Sequence, residues 1–384
     1  MKRINHKSSV ILSLISTLLV SLMIFSYGCA KKEGKEIKIG AVLPLTGEAA
    51  QWGIPPQKGA ELAIEQINAK GGLNGKKLSI TFQDDTCNPQ NAVSALQSIL
   101  TGNSSIKLVM GAVCSSATLA IAPIAEKQGI LLISPASTSP KITDAGDFIF
   151  RDIPSDALRG KVFAEYLFEK ENLRKVGLLY INNDAGIGNK NAFSERFKEL
   201  GGTIVGEETY DQGSTDVRSQ LTKLKSLDLE ALMVVSYPAD TIIVVRQAKE
   251  LAPKLSLFFQ AEAVEDPSVI KALGKNLDGI KYILPAKAEG EIPSKFASDY
   301  KNKFGSAPEL FAAEGYDAIN LLALGIKQCN GKADANCIKN FLLTVKDYQG
   351  ASGIITFDRH GDVTKPMAIR EIREGKPTTV FTSK

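Results

Sequence analysis

Residues 36–72 read EIKIGAVLPLTGEAAQWGIPPQKGAELAIEQINAKGG, and this stretch decides the fold class. Residues 36–43 form a β-type run, and residues 53–70 follow with a helical pattern that Gly71 and Gly72 end. One face of that helix carries its apolar residues, which are Ala60, Ala63, Ile64 and Ile67. A strand followed at once by an amphipathic helix is the repeating unit of a parallel α/β sheet, so an α/β fold is predicted.

The alternation continues through the chain in two successive halves that a break at residues 151–155 separates. The first half adds predicted strands at 78–82, 107–111 and 130–133 and helices at 89–100 and 116–128. The second half has strands at 174–181, 203–210, 231–236, 255–260 and 279–284 and helices at 156–171, 188–200, 215–226 and 239–251. A closing section contains helices near 292–304, 311–328 and 334–345 and strand-like runs at 353–357 and 367–373. The pattern alone does not assign this closing section to either half.

Composition excludes several classes of function. The chain of 384 residues is 44% hydrophobic, which is enough for a packed core in roughly two to three domains. It has 46 basic against 42 acidic residues, and three of the basic residues lie within the first seven, so the remainder is nearly neutral and favours no nucleic acid partner. Its two histidines are His6 and His360, too few for a Ser-His-Asp triad or a multi-histidine metal site. We therefore expect neither an enzyme nor a metal or cofactor.

The N-terminus has the pattern of a secretory signal. Lys2, Arg3 and Lys7 precede an apolar run at residues 10–25 that is short for a membrane-spanning helix. Gly28-Cys29 follows and partly matches a bacterial lipobox, which predicts a signal peptide at residues 1–28, a lipid on Cys29 and a tether at 29–36. The alternative is that Cys29 is incidental to an ordinary signal peptide. Either way the protein is expected to be exported to the periplasm or cell envelope.

The other four cysteines agree with export. An even number in an oxidising compartment suggests two disulfides, for which three connectivities are possible. Cys87–Cys114 and Cys329–Cys337 are the natural pairs, and buried free thiols are the alternative.

Polar residues follow the predicted strands where a ligand would bind. In open parallel sheets, ligands bind at the carboxyl ends of the strands. Two such junctions, at residues 111–116 and 134–140, are rich in Ser and Thr, which together with a helix N-terminus suit a small carboxylate. Glu262, at a junction of the second half, could pair with an ammonium. The alternatives are ordinary helix caps and a solvated Glu262, but together these groups describe a site for an α-amino acid.

The same junctions resemble those of the periplasmic leucine/isoleucine/valine-binding proteins, the substrate receptors of branched-chain amino acid ABC transporters. The resemblance runs from about residue 37 to residue 373. The stretches that carry it, in order, are Ile39-Gly40-Ala41, Leu45-Thr46-Gly47, Ala50-Gln51-Trp52-Gly53, Ile67-Asn68-Ala69-Lys70-Gly71-Gly72, Asp84-Asp85-Thr86-Cys87, Cys114-Ser115-Ser116 and Ser134-Pro135-Ala136-Ser137-Thr138-Ser139-Pro140.

The resemblance implies a role for each residue of the binding site. The α-carboxylate and part of the ammonium would be held by Ser115, Ala136 and Thr138, and Glu262 would pair with the ammonium. An apolar wall is implied by Trp52, Val113 and Tyr237. The family's disulfide matches Cys87 and Cys114. The sequence departs from the family at Ala185, where several members have Tyr, which leaves the side-chain specificity open.

The resemblance also implies the architecture and mechanism. The expected fold is a type I periplasmic binding protein: two Rossmann-like lobes with parallel sheets, joined by three hinge crossings. The N-terminal lobe would comprise residues 37–153 and 287–360, and the C-terminal lobe residues 154–286 and 361–384. Hinge closure would trap the ligand, and a membrane permease would be the partner of a monomeric receptor. The alternatives are another amino acid, an amide or a small aromatic acid as the ligand, or a role as a ligand sensor.

Overall fold

The computed structural model of the protein describes residues 36–260 and 262–383, with the backbone alone at Glu262. The predicted signal peptide, Cys29 and most of the tether therefore lie outside the described residues.

The first sheet is parallel throughout. Its strands are β1 (Ile37–Leu43), β2 (Leu78–Asp84), β3 (Leu108–Gly111), β4 (Leu131–Ser134) and β5 (Ile149–Arg151). The order in the sheet is β2-β1-β3-β4-β5.

The second sheet is larger and mixed. The chain continues with β6 (Lys175–Ile181), β7 (Thr203–Tyr210), β8 (Ala231–Val235), β9 (Ser256–Phe259) and β10 (Lys281–Pro285), then a small hairpin of β11 (Tyr348–Gly350) and β12 (Gly353–Ile355), and then β13 (Met367–Arg373) and β14 (Lys376–Thr382). The order in the sheet is β14-β13-β10-β9-β8-β6-β7. The β10–β13 and β13–β14 pairings at one edge are antiparallel, and the other pairings are parallel.

Helices alternate with the strands of both sheets, as the sequence predicts. In the described residues they are α1 (Ala50–Ala69), α2 (Pro89–Gly102), α3 (Ser115–Gln128), α4 (Asp156–Glu169), α5 (Asp184–Glu199), α6 (Arg218–Lys225), α7 (Pro238–Leu251), α8 (Pro267–Leu273), α9 (Glu291–Phe304), α10 (Ala312–Gln328) and α11 (Ala335–Leu342). Short 3₁₀ helices lie at Pro140–Asp144, Glu262–Glu265 and Gly274–Leu277. Within the described ranges, no helix is long and apolar enough to span a membrane.

Each sheet has its own core, and this assigns the closing section of the chain. Buried residues of α10 and α11 pack into the core around the first sheet, whereas β13 and β14 belong to the second. The closing section is therefore shared between a first lobe and a second lobe. The chain passes between the lobes three times, which confirms the predicted fold class: after β5, after β10 and between β12 and β13. The residue boundaries of the two domains stay predictions.

A buried ion pair joins the first and third crossings. Arg151 is fully buried, and its guanidinium donates to both carboxylate oxygens of Asp362 at 2.7 and 2.6 Å. The backbone N–H of Arg151 also donates to the carbonyl of Gly361, and Pro154 and Val363 form an isolated parallel bridge. These bonds fix the two connecting strands side by side.

Both predicted disulfides are present. Cys87–Cys114 joins the loop after β2 to the start of α3, and Cys329–Cys337 joins the end of α10 to α11. Cys114 and Cys329 are buried, as expected for structural pairs.

The largest difference from the sequence pattern is the start of α5. The pattern places it at residue 188, but the helix begins at Asp184, with the side chain of Asn183 accepting from the Gly186 N–H at 2.8 Å. A Cβ on Gly186 would lie 1.9 Å from the carbonyl oxygen of Ile181, so glycine is needed here for close packing against β6. The glycines that suggest a loop therefore lie inside a helix. The pattern also lacks β5, α8, β11 and β14.

Candidate ligand-binding site

The predicted site residues meet at one enclosed cavity between the carboxyl ends of the two sheets. Its volume is about 50 Å³. Seven of the eight predicted residues line it: Trp52, Val113, Ser115, Ala136, Thr138, Ala185 and Tyr237. The eighth, Glu262, begins the 3₁₀ helix Glu262–Glu265 just after β9, but its side chain lies outside what the structure describes. Residues far apart in sequence are thus brought together by the topology of the two sheets.

The N-terminus of α3 forms the polar part of the first-lobe wall. Ser115 is its first residue, and the N-cap, Cys114, makes no side-chain capping bond within the described residues. Ser115 is buried, and its hydroxyl accepts from the Ser139 N–H at 3.2 Å. The first N–H groups of a helix lack partners within the helix and carry partial positive charge. This end of α3 is therefore suited to an anion.

Buried hydroxyls hold the two polar loops of the first lobe against each other. The Ser134 hydroxyl donates to the carbonyl of Ala112 at 2.6 Å and accepts from the Ser137 N–H at 2.9 Å. The Ser137 hydroxyl contacts the carbonyl of Val113 at 3.0 Å and the hydroxyl of Thr118 at 2.7 Å. These serines lie in the junctions predicted to bind a carboxylate, but their hydroxyls bond instead to other protein groups and join residues 112–118 to the loop after β4.

Aromatic side chains cover the cavity from both lobes. Trp52, near the start of α1, meets Tyr237, the N-cap of α7, edge to face with ring centroids 4.3 Å apart. Phe311 also lies edge to face with Trp52, with ring centroids 6.4 Å apart. Burial raises the pKa of the Tyr237 hydroxyl, so this group stays protonated and can donate a hydrogen bond.

The lobes also touch at residues that do not line the cavity. Lys141 in the first lobe forms a 2.8 Å ion pair with Asp184, the first residue of α5 in the second. The Asp184 N–H also donates to the hydroxyl of Ser116 at 3.4 Å. Together with the Trp52–Tyr237 contact, these bonds define a closed arrangement of the two lobes.

The second-lobe wall is more polar than the sequence suggests. Besides Ala185 it includes Arg159, Asn189 and Gln260, which were not among the predicted residues. Arg159 is buried, and its Nε lies 3.4 Å from a carboxylate oxygen of the equally buried Asp156. Asn189 and Gln260 are buried as well.

One of these residues carried a usable signal in the sequence. Gln260 directly follows β9, at the position where ligands bind. Arg159 and Asn189 lie within helices and had no such signal. Among the described residues, no group of acidic residues, His or Cys could hold a metal ion.

Comparison with known proteins decides the family. A family model described as periplasmic binding protein matches residues 36–377. The chain belongs to the periplasmic binding protein family. This match covers both lobes and the three crossings of this binding protein.

Relatives of this periplasmic binding protein include proteins whose names state that they bind amino acids. The leucine-, isoleucine-, valine-, threonine- and alanine-binding protein of Pseudomonas aeruginosa is 29% identical over 351 residues, 91% of this chain and 93% of its own. A branched-chain amino acid transporter substrate-binding protein of Streptococcus pneumoniae, solved with isoleucine, is 30% identical with a TM-score of 0.79 and covers 91% of this chain and 99% of its own. A leucine-binding protein of Thermotoga maritima is 26% identical, with a TM-score of 0.82 over 90% of this chain and 98% of its own.

Proposed function

We propose that this periplasmic binding protein is the extracytoplasmic substrate-binding component of an ABC transporter and captures branched-chain amino acids between its lobes. The observation that carries the proposal is the cavity itself. Residues from both lobes line it, with a helix N-terminus on one side and aromatic side chains above. The names of the relatives in Pseudomonas aeruginosa and Streptococcus pneumoniae support the ligand class.

In this proposal, the first lobe holds the α-carboxylate of the ligand. The N-terminus of α3, Ser115 and Thr138 supply N–H and O–H donors on one wall of the cavity. Hydrogen bonds to a charged group are about twice as strong as neutral ones, and a buried site excludes competing water. Glu262, at the end of β9, is assigned to the ammonium on the grounds of its position in the chain.

Aliphatic side chains would lie against Trp52, Val113 and Tyr237. Binding sites of this kind combine an apolar lining with a few polar groups that fix orientation. Because the cavity is enclosed, a ligand must enter while the lobes are apart and is covered when they close. Closure is then the state that a permease distinguishes.

The protein would act at the cell envelope. Its signal peptide, residues 1–28, would be cleaved off, and a lipid on Cys29 would hold the protein at the membrane. The basic start, the short apolar run and Gly28-Cys29 support this assignment. Cys29→Ser should abolish the incorporation of labelled fatty acid into the protein without altering ligand affinity. Labelling of this variant at the wild-type level would contradict the anchor.

Calorimetry tests the ligand class. Purified protein is freed of retained ligand by unfolding, dialysis and refolding, and is then titrated with L-leucine, L-isoleucine and L-valine. We expect binding of at least one of them, and we expect Glu262→Ala to weaken it by about tenfold or more. Glu291→Ala, an exposed acid in the first turn of α9, is the matched control and should bind as the wild type does. The absence of heat with all three amino acids would refute the proposed ligand class.

A further inference from the structure

Two buried side chains on the second-lobe wall have polar atoms without partners in the part of the chain that the structure describes. Gln260 is fully inaccessible and Asn189 is 3% exposed, and both line the cavity. Neither the oxygen nor the nitrogen of the Gln260 carboxamide has a hydrogen-bond partner among the described residues, and the Asn189 Oδ1 has none either. Together these atoms offer a donor and two acceptors.

Such atoms rarely stay unsatisfied. More than about 90% of buried polar groups in native proteins are hydrogen-bonded, because leaving one unsatisfied destabilises the structure. Covering these atoms with an aliphatic side chain would leave them without partners, whereas a ligand with its own donor and acceptor would satisfy them. Sites built this way discriminate strongly against ligands that lack the matching groups.

Ala185 explains why Asn189 reaches the cavity. The two residues stand four apart in α5 and so lie on one face of the helix. The Asn189 Nδ2 donates to the carbonyl of Ala185 at 3.1 Å, which fixes the side chain with its oxygen as the atom left over. A large side chain at residue 185 would stand between Asn189 and the cavity, so the small residue and the polar one act together.

The charges nearby favour a neutral ligand side chain. The positive Arg159 lies beside the negative Asp156 at 3.4 Å, so this buried pair compensates its own charge. A further charge on the ligand would need its own partner.

The geometry points to a second class of ligand for this site: neutral α-amino acids whose side chain ends in a carboxamide. A ligand carboxamide would accept from the Gln260 nitrogen and donate to the Gln260 oxygen, and its second N–H would be directed to the Asn189 Oδ1. This inference rests on the proposed function, since the α-carboxylate and ammonium are held by the same groups.

Competition between ligand classes tests this inference. Ligand-free protein is titrated with L-glutamine, L-asparagine and L-leucine, and the ratio of the leucine Kd to the lower carboxamide Kd is compared among variants. We expect carboxamide binding in the wild type, and a fall of about tenfold or more in the ratio for Gln260→Leu and for Asn189→Leu. Ser194→Ala is the matched control. Ser194 lies in the same helix as Asn189, and its buried hydroxyl has no partner among the described residues, but it does not line the cavity.

The possible results separate the two proposals. Leucine binding without any carboxamide binding would overturn this inference and leave the proposed function standing. Carboxamide binding would also overturn it if the ratio of the leucine Kd to the carboxamide Kd were unchanged in both variants. If none of the branched-chain or carboxamide amino acids binds, the proposed function fails and this inference with it. Thermal unfolding identifies the variants that fold, and the second leucine variant keeps the test valid if the first does not.

Discussion

Asp85 is a carboxyl group that folding removes from water. It is fully buried in the loop after β2, where one oxygen accepts from the Cys87 N–H at 2.8 Å and the other has no partner among the described residues. Burial, followed by the nearby charge of Asp84, raises the pKa of Asp85 from 3.8 to about 7, against the opposing effect of that hydrogen bond. Below about pH 7, the folded protein therefore keeps the Asp85 carboxyl protonated.

The sign of the pH dependence follows. The unfolded chain releases the Asp85 proton near pH 4, and the folded protein holds it until about pH 7, so this group stabilises the fold less as the pH rises between these values. Asp85→Asn should remove the effect and keep the acceptor for Cys87. Urea denaturation measures the free energy of unfolding of the variant relative to that of the wild type. We expect this difference to be about 2 kcal/mol more favourable to the variant at pH 8 than at pH 5.

The exposed Asp228 provides the control for this prediction. Its hydrogen bond to Lys175 lowers its pKa, so Asp228→Asn should bring no gain at pH 8. An equal effect of Asp85→Asn at both pH values would show that the Asp85 carboxyl is not held protonated by the fold.

At the residue scale, sequence reasoning identified the positions that follow strands. Ser115, Thr138 and Tyr237 were predictable because the ends of parallel strands meet at one edge of each sheet. Arg159 and Asn189 were not predicted, because each lies within a helix. Which face of a helix reaches the cavity depends on how the two lobes pack, and no local pattern records that packing.

At the scale of elements, the two disulfides constrain the chain to different degrees. Cys87–Cys114 spans 27 residues and Cys329–Cys337 spans 8. Loop-closure entropy predicts that replacing both cysteines of the longer pair by Ser costs about 3–4 kcal/mol of stability, and about 2–3 kcal/mol for the shorter pair. Denaturant unfolding of the two double variants measures the difference.

Only the longer disulfide is expected to affect binding. It holds the start of α3 beside Ser115, so its loss should weaken ligand affinity as well as stability. The Cys329–Cys337 variant is the matched control, because both residues lie away from the cavity lining and its affinity should equal that of the wild type. Equal affinities for both variants would mean that the α3 N-terminus keeps its position without the disulfide.

Helices α1 and α10 pack through glycines. A Cβ on Gly59 would lie 2.0 Å from the carbonyl oxygen of Ala312, and one on Gly315 would lie 2.3 Å from that of Pro56. Because the obstacles are backbone atoms, the helices must move apart to admit a methyl group. Gly59→Ala and Gly315→Ala should each destabilise the protein by about 1–3 kcal/mol.

Gly102, the last residue of α2, is the control for this packing. A Cβ there would meet no atom within 4 Å, so Gly102→Ala should be neutral or slightly stabilising. The midpoint of thermal unfolding ranks the three variants. A neutral Gly59→Ala would indicate that the helices adjust their spacing freely.

Elements differ in how readily the sequence reveals them. Long periodic stretches such as α1 were predicted to within a few residues of their observed ends. The three-residue strand β5 is too short to show a period of its own, and the glycines near the start of α5 suggested a loop although they serve close packing. Short elements and glycines in tight contacts are specified by tertiary structure.

At the scale of the whole molecule, the contacts between the lobes determine how far apart they stand. Lys141 of the first lobe pairs with Asp184 of the second, and neither residue lines the cavity. Lys141→Glu would place two negative charges opposite each other in the closed state alone, and so shift the population toward the open state. Ligand affinity should fall severalfold, since the competent fraction is smaller.

Scattering and calorimetry check this effect together. Ligand should reduce the radius of gyration of the wild type, and Lys141→Glu should need more ligand for the same reduction. Lys295→Glu is the matched control, because Lys295 pairs with Asp299 within α9 and this ion pair does not connect the two lobes. If both charge reversals have the same effect, the cause is net charge and not the contact between the lobes.

The chain contains a single tryptophan, and the fold places it where Trp52 meets Tyr237 across the cleft. The indole therefore changes its surroundings when the lobes separate, and its fluorescence comes from no other site. Emission intensity and wavelength can then follow opening and closing in real time, by stopped-flow mixing and without an attached dye. The intrinsic fluorescence of Trp52 can therefore report whether a ligand is bound.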